Sequence, residues 1–152
     1  MNDKKLILEQ LDKKLDLYKQ LENSPPPQRG WLFAIRKAIN MSLRQMGQRM
    51  HLSAQGVRDI EERERSGALS LKGLRQAGQA MNLKLVYGFI PEASSLEQMI
   101  EDRAMLIARE IVERTSMSME LEDQKNTTER LQKAINEKAS AIKEERPRYL
   151  WD

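Results

Sequence analysis

Two serines eleven positions apart, Ser42 and Ser53, limit what this chain can fold into more than any other feature. A serine hydroxyl accepts a backbone N–H at a helix start, and Gln45, three residues after Ser42, completes a reciprocal capping box. The first helix therefore has room to run only to about Met50 before the second is capped at Ser53. Met50, His51 and Leu52 remain as the turn. Leu43, Met46, Met50, Leu52, Val57 and Ile60 supply the apolar contacts, and Gly47 offers a side-chain-free surface where the second helix can cross closely. The expected centre of the fold is thus a pair of short helices spanning Met41 to Glu61.

The second helix has a polar outer face made of Ala54, Gln55, Arg58, Asp59 and Glu62. A helix of this kind, held by its partner across a tight turn, fits the major groove of duplex DNA. Gln matches the donor and acceptor edge of adenine and Arg that of guanine, so Ala54, Gln55 and Arg58 are the candidate base contacts.

Charge supports the same reading. The net charge is only +3, but residues 29–90 hold eleven Lys/Arg against four Asp/Glu, or +7, which leaves −4 for the rest. A basic middle between acidic flanks implies a polyanion as partner. Arg36, Lys37, Ser42, Arg44, Ser53, Arg63, Arg65 and Lys72 are the candidate phosphate contacts, which position a protein on DNA without reading sequence.

Around this centre the pattern is mainly helical. From Lys4 to Glu22, Leu8, Leu11, Leu15 and Tyr18 line one face of an amphipathic helix, which Ser24 and Pro25 to Pro27 then break. Trp31, Leu32, Ile35 and Ile39 predict a helix over 30–40, and after a charged loop from Glu62 to Gly67, Ser70 caps another carrying Leu71, Leu74, Ala77, Ala80 and Met81. Lys84 to Ile90 switches to alternation, so Leu85, Val86, Tyr87 and Phe89 are expected in a β-strand that Pro91 ends. No second strand is evident, and pairing with its copy in a symmetric homodimer is the expected solution.

Further on, Ser94 with Glu97 opens a long helix bearing Leu96, Ile100, Ala104, Ile107 and Ile111. Asn126 with Glu129 opens another with Leu131, Ile135 and Ile142, which Pro147 stops. The tail Arg148 to Asp152 is expected to pack back onto the chain's own helices in preference to a partner pocket. The expected divisions are an N-terminal helix over 1–24, a Pro-rich linker over 25–30, a DNA-binding domain with its terminal strand over 31–91, and a helical extension over 92–152.

Several function classes fall away. Without cysteine there is no disulfide, thiolate metal site or cysteine nucleophile. The one histidine, His51, lies in the predicted turn, so neither a His-based triad nor a multi-histidine metal site is available. Glu61, Glu62 and Glu64 read as surface groups of one charged segment. The charged N-terminus resembles neither a signal peptide nor a membrane span. The expectation is a cytoplasmic protein with no catalytic residues, cofactor, metal, membrane or small-molecule substrate.

Ser42, Gly47, Leu52, Ser53, Val57, Ile60 and Glu61 stand at the spacing of the Cro/phage-repressor helix-turn-helix, the XRE family, and the resemblance covers about Trp31 to Met81. It implies a lambda-repressor-like bundle whose recognition helix starts at Ser53. Leu43 replaces a frequent Gln of that family, with Arg44 beside it able to serve, and His51 replaces a turn Gly, a change that a left-handed His tolerates.

Beyond this domain, RGWLFAIRKAINMSL, LKLVYGFIP, MSMELEDQ and the terminal LWD together look like the mobile mystery protein A family, over nearly the whole chain. Its members resemble antitoxins encoded beside a Fic-domain protein. The resemblance implies a transcriptional regulator that binds an operator palindrome as a homodimer and autoregulates a toxin–antitoxin pair with a Fic-domain toxin as partner. The alternative is a protein-binding module that neutralises a toxin through its helical arms with little DNA binding. Fic inhibitors carry a Ser/Thr-x-x-x-Glu-Gly/Asn helix. Tyr18 precedes Glu22-Asn23, and Leu121 follows Ser116 to Glu120, so no inhibitory glutamate is assigned.

Overall fold

The computed structural model describes residues 3–117 and 127–152. Its helices are α1 (Asp3–Asp16), α2 (Trp31–Ala38), α3 (Leu43–Met50), α4 (Ala54–Ser66), α5 (Leu71–Ala80), α6 (Leu96–Met117) and α7 (Thr127–Glu145), with short 3₁₀ turns at Lys19–Leu21 and Arg148–Trp151. They form two compact units, Gln20–Gly88 and Met1–Lys19 with Phe89–Asp152. Among the described residues no helix is long and apolar enough to cross a membrane.

In the unit Gln20–Gly88, local capping sets the helix ends. Ser42 Oγ accepts the Gln45 N–H at 3.0 Å and Gln45 Oε1 accepts the Ser42 N–H at 2.8 Å, the reciprocal box that starts α3. His51, at φ 56° and ψ 41°, turns the chain left-handed and ends it. Ser53 Oγ then accepts the Gly56 N–H and Ser70 Oγ the Gly73 N–H, each at 3.0 Å, to start α4 and α5. Gly67, at φ 82°, closes α4 in a conformation that favours glycine, so residues 62–66 are helical and not the expected loop.

Leu32, Met46, Val57, Ile60, Ala77 and Met81 form the core of this unit. Burial of a side chain the size of Met46 or Val57 contributes about 1.5–3 kcal/mol. Gly47 lies where α3 meets the turn into α4, and a Cβ there would stand 2.5 Å from the Leu52 carbonyl oxygen. A backbone atom cannot swing aside. Gly47→Ala is therefore expected to cost about 1–3 kcal/mol, read as a fall in melting temperature of about 4–8 °C per kcal/mol. An unchanged melting curve would show that the turn can relax away.

The expected β-strand is not present. Residues 84–90 join no ladder, and the described residues contain no strand, which makes the architecture all-helical and removes Leu85, Val86, Tyr87 and Phe89 as strand-pairing residues. An extended segment becomes a strand only when another donates and accepts its ladder bonds. Leu83 packs on the core and Leu85 lines an apolar groove with Leu32, Ile35 and Leu74, whereas Val86, Tyr87 and Phe89 are all exposed.

The other unit is built on α6 and α7. Ile100, Ala104, Ile107 and Ala108 of α6 meet Ile135, Ala139 and Ile142 of α7, the small residues letting the helices approach. Leu8 of α1 packs against this core. The start of α6 differs from the expected Ser94–Glu97 box: Ser95 Oγ accepts the Gln98 N–H at 3.0 Å. Asp12, from α1, accepts the Leu96 and Glu97 amides at 2.7 and 3.2 Å. A carboxylate at a helix N-terminus meets orphan donors and the positive end of the dipole together.

The tail folds back, as its apolar content led one to expect, but through an aliphatic side chain. Leu150 is fully buried, whereas Tyr149 and Trp151 stay about half exposed. Arg103 holds the turn by donating to the carbonyl oxygens of Leu150 and Asp152. The expected Asn126 cap, most of the MSMELEDQ run and Glu120 lie outside the described residues.

Candidate nucleic-acid interface

α4 carries two faces with opposite chemistry. Val57, Ile60 and Glu61 are buried, while Ala54, Gln55, Arg58, Asp59 and Glu62 form an exposed stripe. One turn of helix brings positions three and four apart together, and the stripe is linked accordingly. Arg58 Nη1 donates to Gln55 Oε1 at 3.3 Å, and Gln55 Nε2 donates to Asp59 Oδ1 at 2.9 Å. The two groups suited to base edges are thus aligned on one surface.

The buried side of α4 is anchored by charge. Arg36 of α2 donates from Nε to Glu61 Oε2 at 2.7 Å and from Nη2 to Glu61 Oε1 at 2.9 Å. Its Nη1 donates to the Met41 carbonyl oxygen at 3.0 Å, which also ties down the chain entering α3. Arg36 is 5 % exposed and Glu61 6 %. Two readings of the sequence are corrected by this pair: Arg36 is not a phosphate contact, and Glu61 is not a surface group. A buried guanidinium bonded to a carboxylate is out of reach of a DNA phosphate, and each charge is kept in the interior by the other.

Glu64, one turn further along α4, accepts the backbone N–H groups of Trp31 and Leu32 at 2.8 Å each. It caps α2, whose preceding residue Gly30 has φ 90° and no acceptor of its own. A Cβ at Gly30 would come within 2.8 Å of Glu64 Oε1. Glycine here leaves the carboxylate room to reach the helix end. α2 and α4 are therefore joined twice, which fixes the direction in which α4 presents its stripe.

The remaining phosphate candidates fall into three groups. Lys37, Arg44, Arg63 and Lys72 are exposed and have no ion-pair partner among the described residues. Ser42 and Ser53 are exposed, and their hydroxyls serve as helix caps. The first amides of α3 and α4 lie beside them without intrahelical acceptors. Arg65 is exposed but donates through Nε to Glu62 Oε2 at 2.9 Å and through Nη2 to Glu62 Oε1. That hydrogen bonding holds the Glu62 carboxyl below its usual range.

One cation beside the stripe escaped the sequence reading. The Arg29 guanidinium lies 3.6 Å from the centroid of the Phe33 ring, and both residues line a shallow concavity with Arg58, Glu62 and Arg65. Among the described residues, no group of His, Cys, Asp and Glu is arranged to hold a metal ion. Comparison with protein families, with curated proteins and with solved structures finds no match to this chain.

Proposed function

We propose that residues 20–88 form the DNA-binding unit of a non-catalytic, cytoplasmic transcriptional regulator of the XRE type, with α4 as the helix that enters the major groove. The observation that carries this reading is the exposed Gln55–Arg58 stripe on a helix held rigidly from behind by Arg36–Glu61 and Glu64. A base-reading surface must not wander, because misplacement by about 1 Å loses most of the gain from orientation.

The arithmetic of recognition favours two copies. Gln55 and Arg58 each supply about 1–3 kcal/mol of discrimination when bidentate, so one helix provides about 2–6 and two provide about 4–12. Specific regulators exceed their own non-specific binding by about 4–10 kcal/mol. A homodimer on a palindrome, with half-sites about 10 base pairs apart, spans that range, whereas a single copy reaches only its lower part. The test is a gel shift with the DNA upstream of the protein's own gene, set beside sedimentation of the free protein. No shift at moderate salt would reject the reading, and a monomer on a single half-site would reject the dimer.

A second reading concerns the other unit. α1 has no buried residue and exposes Leu6, Ile7 and Leu11, with Leu17 exposed just after it, an apolar surface suited to a protein partner. This supports an antitoxin role in which the regulator also binds a Fic-domain toxin. Co-expression with the adjacent reading frame tests it. A stoichiometric complex without a gel shift would favour the protein-binding module, and a shift without a complex would leave a regulator alone.

A further inference from the structure

Arg29 stands just before α2, outside both the base-reading stripe and the buried anchor. Its planar guanidinium lies over Phe33, a geometry in which the ring face attracts the cation and leaves the N–H groups at the edge of the plane pointing outward. Among the described residues these donors have no hydrogen-bond partner. The neighbouring carboxylates are differently placed: Glu61 is taken by Arg36 and Glu62 by Arg65. Glu62 nevertheless lies close enough to Arg29 for its ionised form to be favoured by that charge as well as by Arg65.

Position narrows the role. When the N-terminal part of a recognition helix meets base edges, flanking elements meet the sugar–phosphate wall of the groove. Arg29 comes from the turn beside α2 and shares its concavity with Arg58 and Arg65. It is therefore placed beside the reading helix and not on it. An oxyanion takes two parallel N–H bonds from a guanidinium edge, and stacking orders the long side chain before the anion arrives.

We propose that the Arg29–Phe33 stack is a binding site for one backbone phosphodiester of duplex DNA, flanking the base pair that Arg58 meets. The inference rests on the DNA-binding reading above and adds a residue pair to it. The aromatic ring makes the site: without Phe33 the cation is a free surface charge that shares its time among many positions.

The experiment is a double-mutant cycle on the full chain, with Arg29→Ala, Phe33→Leu and both together. Fluorescence anisotropy follows binding to a mixed-sequence duplex over a range of salt. Each phosphate contact adds about 0.9 to the slope of log K against log salt, so Arg29→Ala should flatten it by about that amount. Phe33→Leu should flatten it similarly, Phe33→Tyr should restore it, and the double variant should equal Arg29→Ala. A slope unchanged in Arg29→Ala overturns the site, and additive effects of the two substitutions overturn the stack as its basis. A wild-type protein with no salt-dependent binding would fail the DNA reading itself, a different result from either.

Discussion

Glu61→Ala should lower the unfolding free energy of the unit Gln20–Gly88 by about 3–5 kcal/mol, because it leaves the buried Arg36 guanidinium without a counter-charge. Both side chains are almost fully enclosed, and the carboxylate accepts two hydrogen bonds from the same fork. A unit of this size has little stability to spare. The variant is thus expected to be largely unfolded in this unit at room temperature, with the loss of DNA binding following from the loss of α4. The double substitution Arg36→Met with Glu61→Leu removes both charges and fills similar space. It should come close to wild-type stability, since the desolvation of two ions disappears together with their attraction. Thermal melting of the three proteins checks the pair. A loss below about 1 kcal/mol for Glu61→Ala would mean that water reaches Arg36.

Arg58→Ala should remove about 1–3 kcal/mol of discrimination at one base pair of the half-site while flattening the salt slope by at most about 0.9. Arg58 is expected to matter more than Gln55 for a reason visible in the hydrogen bonds. Gln55 uses its carbonyl oxygen for Arg58 and its amide for Asp59, the two atoms that adenine would need. Opening such bonds costs about 0.5–1.5 kcal/mol each, which takes away part of what Gln55 gains. Binding to duplexes substituted one position at a time, at fixed salt, measures this directly. If the ratio of specific to non-specific affinity is the same with and without Arg58, α4 is not read out through this side chain.

The capping serines were legible because their hydrogen bonds close within three residues. Ser42, Ser53 and Ser70 each name the helix that follows, and the 3.6-residue period then separates Val57 and Ile60 from Gln55 and Arg58 without reference to anything distant. Arg36 was assigned to phosphate because a cation in a basic segment belongs outside by default. A signal against that was present: Arg36 stands four residues after Leu32, and Glu61 four after Val57, so both charges sit in line with core positions. Only their meeting, across 25 residues of chain, turns two improbable positions into one stable pair.

The alternating run 84–90 failed as a strand for a related reason. Alternation suits an extended chain but supplies no partner for its backbone, and Tyr87 and Phe89, on the expected covered face, stay exposed. The α6 start shows the same division. Ser95 supplies the local part of the cap, one residue away from the expected Ser94, and Asp12 supplies the rest from 84 residues earlier.

By itself, then, the sequence determined where the short helices of the 42–81 region begin and which face of α4 looks outward, because these follow from capping and period within a turn or two; it did not place the end of α4, which runs to Ser66 through the expected loop. The tertiary structure alone decided that Arg36 and Glu61 neutralise each other inside, that Glu64 caps α2, that Arg29 stacks on Phe33 and that residues 84–90 lie unpaired. Each of these depends on the distance between groups far apart in the chain, which packing sets and local pattern does not encode.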